Sequence, residues 1–398
     1  MPVRPIFPVI LLMVTHMVST AHAEPKLRRI ADPADSNQAA AVVVANAALI
    51  HTTQLMPVGE DGSVPESLDK QFDVLFGRLD TILTAHSADR SDVVKLNFYV
   101  TDASVRDATL GFLKKWQATE AAPATCWVTT ALPNRGAKVA IDAIIATGHS
   151  PQGDKPTLKT ANDSRWAETA VLPTGDVVYV SGQAENGDLP SATRETLGAL
   201  RRTLEHMHLT RDHIVEIKCF VTPMEDVAVV NEQIAAFFGE SPIPPVSHVE
   251  WESTGYPIEI ELVAAAPASQ SDETVTWSAP PWMKTSPVYS RVATIHGNTR
   301  IYVSGLYSAE PGDGLSQVNG VFAGLKKILA EANSDVLHLA KATYYVSDDD
   351  ASSQLNVIRP SIYDPKRPPA ASKAMVKGVA KEGRSLTLDM IAAPKSGK

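Results

Sequence analysis

The segment Leu96-Asn97-Phe98-Tyr99-Val100-Thr101-Asp102 decides the fold, because it recurs twice further along the chain. The second copy is Ile217-Lys218-Cys219-Phe220-Val221-Thr222-Pro223 and the third is Ala342-Thr343-Tyr344-Tyr345-Val346-Ser347-Asp348, at spacings of 121 and 125 residues. Self-similarity at a nearly fixed period is the signature of repeated structural units. The chain is therefore predicted to contain three copies of one unit.

Two other landmarks keep the same order. The segment Tyr179–Gln183 (YVSGQ) recurs 123 residues later as Tyr302–Leu306 (YVSGL), and Ile50–Gln54 (IHTTQ) is a degraded first copy. Each unit also closes with a similar apolar strand, and its copies are Ala140–Ala146, Glu259–Ala265 and Thr387–Ala393. Chance similarity of strands would not keep three landmarks in register.

Hydrophobic periodicity gives each unit the order β-β-α-β-α-β-β. Apolar residues at three- and four-residue steps predict the first helix of every unit; they are Phe72, Phe76, Leu79, Leu83, Leu197, Leu200, Leu204, Met207, Val318, Phe322, Leu325 and Leu329. Pro360 is expected to shorten or kink the second helix of the third unit. The order mixes hairpins with a crossover, which predicts an α+β layer with helices on one sheet face.

The predicted boundaries follow from these landmarks. The three units span residues 27–148, 163–267 and 285–394. Polar, proline-rich stretches at His149–Arg165 and Pro267–Pro287 separate them and are typical of linkers.

Residues 1–23 are predicted to be a signal peptide, which places the mature protein in the periplasm or outside the cell. Arg4 precedes the short apolar run Ile6–Val14, and Ala21-His22-Ala23 offers a cleavage site. The alternative is a membrane anchor, but the run is well short of the roughly 20 residues that a spanning helix needs. No membrane association is expected after removal of the signal.

The charge balance lowers the expectation of a nucleic-acid partner. The chain has 36 basic and 45 acidic residues, a net charge of −9, and loss of Arg4 with the signal changes this to 35 against 45, or −10. No basic stripe is concentrated enough to favour phosphate-backbone binding.

Cys126 and Cys219 lie in separate apolar runs. Two buried free thiols are the favoured interpretation and a disulfide is the alternative. Neither cysteine has a neighbouring CxxC or histidine-rich segment, so no metal site is predicted.

Together, the landmarks resemble the RidA/YjgF family, three times over. The resemblance rests on the YVSGQ strand, the first amphipathic helix, the F-V-T/S strand, the closing E-I-E-L strand, and Asn231 and Asn356, each ten residues past a landmark valine. It implies chorismate-mutase-like units, which in the family typically form homotrimers with ligand pockets at the three subunit clefts. Three units in one chain then imply an intramolecular pseudo-trimer that acts as a monomer.

The resemblance also implies an activity, the cofactor-free hydrolysis of reactive enamines and imines to ketones and ammonia. The family's closing-strand acid corresponds to Asp142, Glu261 and Asp389, the candidate catalytic residues. A carboxylate beside an apolar pocket can orient water and shuttle a proton, whereas a solvent-facing acid is the alternative.

Other parts of the family pocket give candidate ligand-binding residues. They are Trp166, Ser181, Gly182, Asn231, Tyr289, Ser304, Gly305 and Asn356. Packing of the core is an equally good account of the two aromatic residues. The first unit has Asn37 at the aromatic position.

The arginine that grips the substrate carboxylate in the family's P-A-R-S/C segment is missing. The matching segments are Pro123-Ala124-Thr125-Cys126, Pro245-Val246-Ser247-His248 and Pro369-Ala370-Ala371-Ser372. Loss of such a charge-assisted contact costs about 1.5–3 kcal/mol. Lys373, Arg135 and Arg384 lie nearby as possible replacements or as solvated loop residues, and His248 is either a ligand-binding or an interior histidine.

Four functions therefore remain. The first is binding of a small metabolite in clefts between the repeats, and the second is an enamine or imine deaminase with an altered substrate. Ribonuclease action is the least supported, because of the acidic charge. A scaffold whose clefts are filled by side chains is the fourth.

Overall fold

The computed structural model describes residues 26–32, 35–117, 121–161, 164–253 and 255–395, together with Met1. Apart from Met1, the predicted signal peptide lies outside these described residues. Within them, no helix combines the length and the apolar character needed to cross a membrane.

Each third of the chain folds into an α+β unit with two helices, as predicted. Unit 1 contains β1 (Lys26–Asp32), β2 (Asp35–Ala45), β3 (Ala48–Thr52), α1 (Leu68–Ala85), β4 (Val93–Val100), α2 (Ala103–Trp116), β5 (Ala124–Thr129) and β6 (Val139–Thr147). Unit 2 contains β7 (Thr157–Thr160), β8 (Ala167–Leu172), β9 (Asp176–Gln183), α3 (Leu189–His206), β10 (Ile214–Val221), α4 (Val227–Phe238), β11 (Val246–Glu250) and β12 (Ile258–Ala266). Unit 3 contains β13 (Val275–Ser278), β14 (Val292–Ile295), β15 (Thr299–Val303), α5 (Gly314–Glu331), β16 (Leu339–Val346), α6 (Asp349–Ile362), β17 (Ala370–Met375) and β18 (Leu386–Ala392).

The first helix of each unit begins at a capping side chain and buries its predicted apolar face, except that Met207 follows the end of α3 and is half-buried. Asp188 and Asp313 accept backbone hydrogen bonds at the starts of α3 and α5, which satisfies amide groups that have no partner inside a helix. Pro360 lies two residues before the end of α6. The expected shortening does not occur, since α6 and α2 both have 14 residues, and a proline so near the C-terminus removes only one hydrogen bond of the final turn.

The four main strands of each unit are ordered alike. In unit 1 the order is β5-β4-β6-β3, with β4 parallel to β5 and antiparallel to β6. Units 2 and 3 repeat it as β11-β10-β12-β9 and β17-β16-β18-β15. The last two strands of a unit are therefore not neighbours, because the strand that carries the first recurring segment (β4 in unit 1) lies between them.

The opening strands of a unit do not form the hairpin that their order suggests. Instead, β8 of unit 2 pairs with β3 of unit 1, β14 of unit 3 pairs with β9 of unit 2, and β2 of unit 1 pairs with β15 of unit 3. Two further strands, β7 and β13, lie inside the predicted linkers and pair with β8 and β14. Each unit thus adds a two-stranded ribbon to the sheet of another unit, and the exchange is cyclic.

The cyclic pairing joins a 12-stranded and a 6-stranded sheet into one ring, which we call the closed sheet. The start of each opening strand also contacts its own unit through the pairs Ala39–Ala124, Trp166–Ile243 and Ser290–Ala370. A continuous path of paired strands consequently passes through all three units and returns to its start.

The inner face of this closed sheet is layered. One apolar cluster contains Val94, Val215 and Ala340, one residue from each unit. A second apolar cluster contains the equivalent residues Tyr99, Phe220 and Tyr345. Between them along the landmark strands lies a charged layer, which comprises Lys95, Lys218, Lys341, Asp142, Glu216, Glu261, Asp389 and His51. Helices cover the outer face.

Candidate functional site

The three units meet at three junctions, which we call the 1–2, 2–3 and 3–1 clefts after the units that form them. In the 2–3 cleft, a Cβ atom added to Gly182 would lie 1.9 Å from the Glu259 Oε1 and 2.6 Å from the Ser372 Oγ. In the 3–1 cleft, a Cβ at Gly305 would lie 3.0 Å from the Thr387 Oγ1 and 3.2 Å from the Cys126 Cα. Glycine at these positions lets the neighbouring unit approach the backbone closely.

The 1–2 cleft is joined by polar side chains. Gln54 Nε2 donates to the His248 carbonyl at 3.0 Å, and the His248 amide donates to Gln54 Oε1 at 3.2 Å. Burial lowers the pKa of His248 to about 4, so the ring is neutral at pH 7. Its Nε2 is buried and has no partner among the described residues.

The carboxyl group of the 2–3 cleft belongs to Glu259, a residue that the sequence prediction missed. Burial raises its pKa to about 7; Ser372 and Arg291 oppose the shift and Glu261 adds to it. The Gly182 amide donates to the Ser372 Oγ at 3.1 Å across the unit boundary. This acid can therefore hold or release a proton near neutral pH.

Ser181 borders the same junction. Its amide donates to the Arg291 carbonyl of unit 3 at 3.0 Å, and its Oγ is buried with no hydrogen-bond partner in the described part of the chain. A buried hydroxyl without a partner is costly unless a ligand or water satisfies it.

Two of the three candidate acids form ion pairs across unit boundaries. Lys341 of unit 3 donates to Glu261 of unit 2 at 2.7 Å, and Lys95 of unit 1 donates to Asp389 of unit 3. Although burial opposes ionisation, Lys95, Lys341 and Lys218 lower the pKa of Asp389 to about 2. The Asp389 carboxylate is therefore an anion at neutral pH.

The third acid, Asp142, differs from them. It accepts hydrogen bonds from the Asn97 Nδ2, at 2.6 Å, and from the Tyr99 hydroxyl. Burial raises its pKa to about 6, with Lys218 opposing the shift and Glu216 adding to it. Glu216 lies 2.8 Å from the His51 Nδ1, and this contact lowers the pKa of Glu216 to about 2 despite its burial. Of the two carboxylates near Lys218, Glu216 therefore keeps the charge.

The candidate ligand-binding residues differ in what they contact. Trp166 packs against the core of unit 2. Tyr289 stacks on the Arg291 guanidinium at 4.9 Å and lines a surface cavity of about 190 Å³. Ser304 Oγ donates to the Ala39 carbonyl at 2.6 Å and accepts from the Thr125 amide at 2.9 Å. These two hydrogen bonds join unit 3 to unit 1.

The two asparagines also differ from each other. Asn231 Oδ1 is buried and has no partner within the described ranges. Asn356 Oδ1 accepts from the Arg359 Nη2 at 2.8 Å and from the Lys373 Nζ at 3.3 Å. Only the first of these side chains has an acceptor left for a ligand.

The cations proposed as replacements for the missing arginine are mostly engaged elsewhere. Lys373 contacts α6 through Ser352 and Asn356, and Arg384 donates to the Ser308 and Ala309 carbonyls. Arg135 is exposed. The structure instead brings Arg106 of α2 close to the 3–1 cleft, over the ring of Trp127 at 5.3 Å. In the sequence, nothing distinguished Arg106 from the other polar residues of its helix.

Comparison with known proteins gives the family. A model described as "Endoribonuclease L-PSP" matches residues 31–147, 159–266 and 282–393, one match for each unit. No curated protein matches the chain.

Solved structures of single repeat-sized proteins are similar to parts of the chain. NMB1025 of Neisseria meningitidis, a member of the YjgF protein family, is 20% identical over 32% of this chain and 100% of its own, with a TM-score of 0.24. The YjgF gene product of E. coli is 28% identical over 23% of this chain and 86% of its own, with a TM-score of 0.22. Yeast Mmf1 is 22% identical over 32% and 98%, with a TM-score of 0.23.

Proposed function

Because the chain belongs to the Endoribonuclease L-PSP family, which includes the YjgF proteins and is represented here by three tandem repeats, we propose that it binds a small metabolite in the 2–3 cleft. The observation that carries the proposal is the position of Glu259, whose carboxyl group contacts Gly182 of its own unit and Ser372 of the next. Sites of this kind combine apolar walls with a few convergent polar groups.

The protonation of Glu259 indicates the ligand class. With a pKa of about 7, the group is part carboxylic acid and part carboxylate at neutral pH, so it can both donate and accept a hydrogen bond. The unsatisfied Ser181 hydroxyl lies at the same junction. A small carbonyl or imine compound without a strong charge fits these two groups.

Thermal-shift and calorimetric titration with neutral ketones, keto acids and amino acids tests this proposal. We expect stabilisation by at least one neutral carbonyl compound, and a loss of that stabilisation in Glu259→Gln. Glu252→Gln, which removes an exposed acid of the same unit, is the matched control. Absence of any response at millimolar ligand would contradict binding.

An imine or enamine deaminase is the second candidate, and Glu259 is also the observation that favours it. A group whose pKa lies near the working pH is well suited to shuttle a proton between water and a leaving nitrogen. The test follows the decay of an enzymatically generated imine, first 2-iminobutanoate and then an imine without a carboxylate. Glu259→Gln should slow an observed reaction by about 10²- to 10⁴-fold. Unchanged decay on addition of the wild-type protein would exclude these reactions.

The proposal extends to location and assembly. We infer an exported protein from the predicted signal peptide, and a monomeric pseudo-trimer from the cyclic pairing of the three units. Light scattering should give the mass of one chain, and the exported protein should begin after Ala23 by mass spectrometry. A cytoplasmic protein that retains residues 1–23 would contradict export.

A further inference from the structure

Three adjacent strands place a hydroxyl, an imidazole and a carboxylate in one row. Thr276 belongs to β13, His296 follows β14 directly, and Asp176 begins β9. Strand β14 lies between the other two strands and pairs with both. Asp176 comes from unit 2 and the other two residues from unit 3, so the row exists only because the units exchange strands. The sequence had assigned Thr276 to the linker Pro267–Pro287.

The imidazole bridges the hydroxyl and the carboxylate. His296 Nε2 lies 2.9 Å from the Thr276 Oγ1, and His296 Nδ1 lies 2.7 Å from the Asp176 Oδ2. An ionised carboxylate only accepts hydrogen bonds, so Nδ1 carries the hydrogen, and Nε2 of the neutral ring accepts from the Thr276 hydroxyl. A nucleophile held by a base that a third group orients is the arrangement of a Ser-His-Asp triad, which is recognised by geometry rather than by sequence.

The Asp176 carboxylate is held in place by its surroundings. It is buried, and it accepts hydrogen bonds from the Gly297 amide at 3.1 Å, the Ser269 amide at 3.2 Å and the Ser269 hydroxyl at 2.5 Å. The Ser269 Oγ also lies 2.9 Å from the His296 Nδ1. These contacts leave the imidazole little freedom to turn, which keeps its Nε2 directed at Thr276.

The hydroxyl end of the row is open to solvent. Thr276 is exposed, whereas Ser278, two residues further along the same face of β13, contacts Met207 just after the end of α3. Thr274 lies two residues earlier on this face, and its Oγ1 is buried with no hydrogen-bond partner within the part of the chain that the structure describes. The Thr274 hydroxyl is therefore available to donate to a carbonyl oxygen on which negative charge develops.

We propose that Thr276 and His296 form a catalytic site, separate from the 2–3 cleft, that hydrolyses small esters. Because Thr276 is open to solvent, the substrate is a small ester with a good leaving group rather than a ligand that must be enclosed. Asp176 is a positioning residue, since it acts through the imidazole.

The reaction has two steps. The Thr276 Oγ1 bonds to the acyl carbon while its proton passes to the His296 Nε2; the bond to the leaving oxygen breaks, and that oxygen takes the proton and departs as the alcohol. Water then attacks the acyl-threonine, and His296 accepts a proton from the water. His296 returns this proton to the Thr276 Oγ1 as the carboxylic acid is released.

Hydrolysis of p-nitrophenyl acetate by the full chain tests the site, with the release of p-nitrophenolate followed by absorbance. We expect an initial burst and an acetyl group on Thr276, located by peptide mass spectrometry after an acid quench. Thr276→Val should abolish both, and Thr276→Ser should retain them. His296→Gln should slow the release by about 10²- to 10⁴-fold, because it removes the general base.

Three controls isolate the row. Ser278→Ala removes another exposed hydroxyl of β13, and His338→Gln removes an imidazole whose Nδ1 lies 2.7 Å from the Asp335 carboxylate; neither should change the rate. Glu259→Gln should not change it either, so failure here and failure at the 2–3 cleft are distinguishable.

The positioning role of Asp176 has its own readout. In Asp176→Asn the new amide would donate to the His296 Nδ1 and leave the hydrogen on Nε2, so kcat should fall with little change in KM. Circular dichroism and melting temperature establish that each variant is folded. The proposal is overturned if p-nitrophenolate is released no faster than in buffer, if acetylation occurs elsewhere but not on Thr276, or if a folded Thr276→Val keeps the burst.

Discussion

Lys341 Nζ of unit 3 lies 2.7 Å from Glu261 Oε1 of unit 2, and both side chains are at least nine-tenths buried. Thr343 contributes a further hydrogen bond to the same carboxylate at 3.3 Å. The pair joins two units inside the closed sheet, where neither charge can be solvated if its partner is lost. Replacement of both members of such a pair by apolar residues is often neutral for stability, whereas removal of one member is costly.

The first prediction follows from the cost of leaving one buried charge without its partner. Glu261→Met should destabilise the protein by about 3–5 kcal/mol, because it leaves the Lys341 charge buried and unpaired, whereas Glu261→Met with Lys341→Met should recover most of that loss. Urea unfolding of the two single variants and the double variant measures the coupling. Disruption of the exposed Lys155–Asp212 pair by Lys155→Met is the control and should cost less than about 1 kcal/mol. Equal effects of the buried and exposed substitutions would refute this account.

The second prediction concerns pH. The folded-state pKa of Asp142 is raised to about 6, above the unfolded value of about 3.9, so folding takes up a proton between these values. Its contribution to stability is complete below pH 4 and is lost as the pH rises through 6. Asp142→Asn should therefore flatten the dependence of stability on pH between 4 and 7, measured by chemical unfolding at fixed pH values.

Asp389 should show the opposite sign. Its pKa is lowered to about 2, so its contribution is present above pH 4 and is lost as the pH falls towards 2. Asp389→Asn should then reduce the acid sensitivity of the protein below pH 4 while lowering stability at pH 7. The account is contradicted if Asp142→Asn keeps the wild-type dependence of stability on pH between 4 and 7 and Asp389→Asn keeps it below pH 4.

A third prediction concerns the two thiols. Cys126 and Cys219 are free and buried, and burial raises the pKa of Cys126 to about 12 and that of Cys219 further. The thiolate is the reactive form, so a thiol-specific reagent should label neither cysteine in the native protein at pH 8 and both in urea. Rapid labelling of the folded protein at Cys126 alone would indicate that the 3–1 cleft opens.

The sequence was sufficient to predict the helices and strands of each unit, but not how the strands of different units pair. Helices such as α1 and strands such as β4 follow from local periodicity, which the chain carries residue by residue. The partner of β2 does not, because β3 and the equivalent β15 offer similar apolar strands and only the whole assembly decides between them. The burial of Lys95 and Lys341 could not be predicted either. Each resembles a solvent-facing residue until a carboxylate of another unit neutralises its charge.

The position of the candidate acid shows the same limit. Glu259 and Glu261 are two residues apart and therefore lie on one face of β12, so their sequence spacing alone does not distinguish the cleft residue from the ion-paired one. Depth along the inner face separates them: Glu261 lies in the charged layer with Lys341, and Glu259 reaches the boundary with Ser372. Only the placement of unit 3 against unit 2 supplies this information.

A final prediction uses the two glycines at the cleft boundaries as a matched pair. In Gly182→Ala the new methyl group meets the Glu259 carboxyl at 1.9 Å and the Ser372 hydroxyl at 2.6 Å, whereas in Gly305→Ala it meets the Cys126 backbone at 3.2 Å and the Thr387 hydroxyl at 3.0 Å. A side-chain terminus can rotate away, but a neighbouring strand cannot. Gly182→Ala should therefore displace Glu259 and return its pKa towards the ordinary value, with a small loss of stability.

Gly305→Ala should instead strain the contact between units 3 and 1 and cost about 1–3 kcal/mol, as overpacking of a filled site does. Nuclear magnetic resonance titration of the Glu259 carboxyl in both variants, with chemical unfolding alongside, separates the two effects. The expected result is a lowered Glu259 pKa only in Gly182→Ala and the larger loss of stability in Gly305→Ala. An unchanged Glu259 pKa in a folded Gly182→Ala would mean that its carboxyl does not occupy the boundary, and the case for a ligand site there would fail with it.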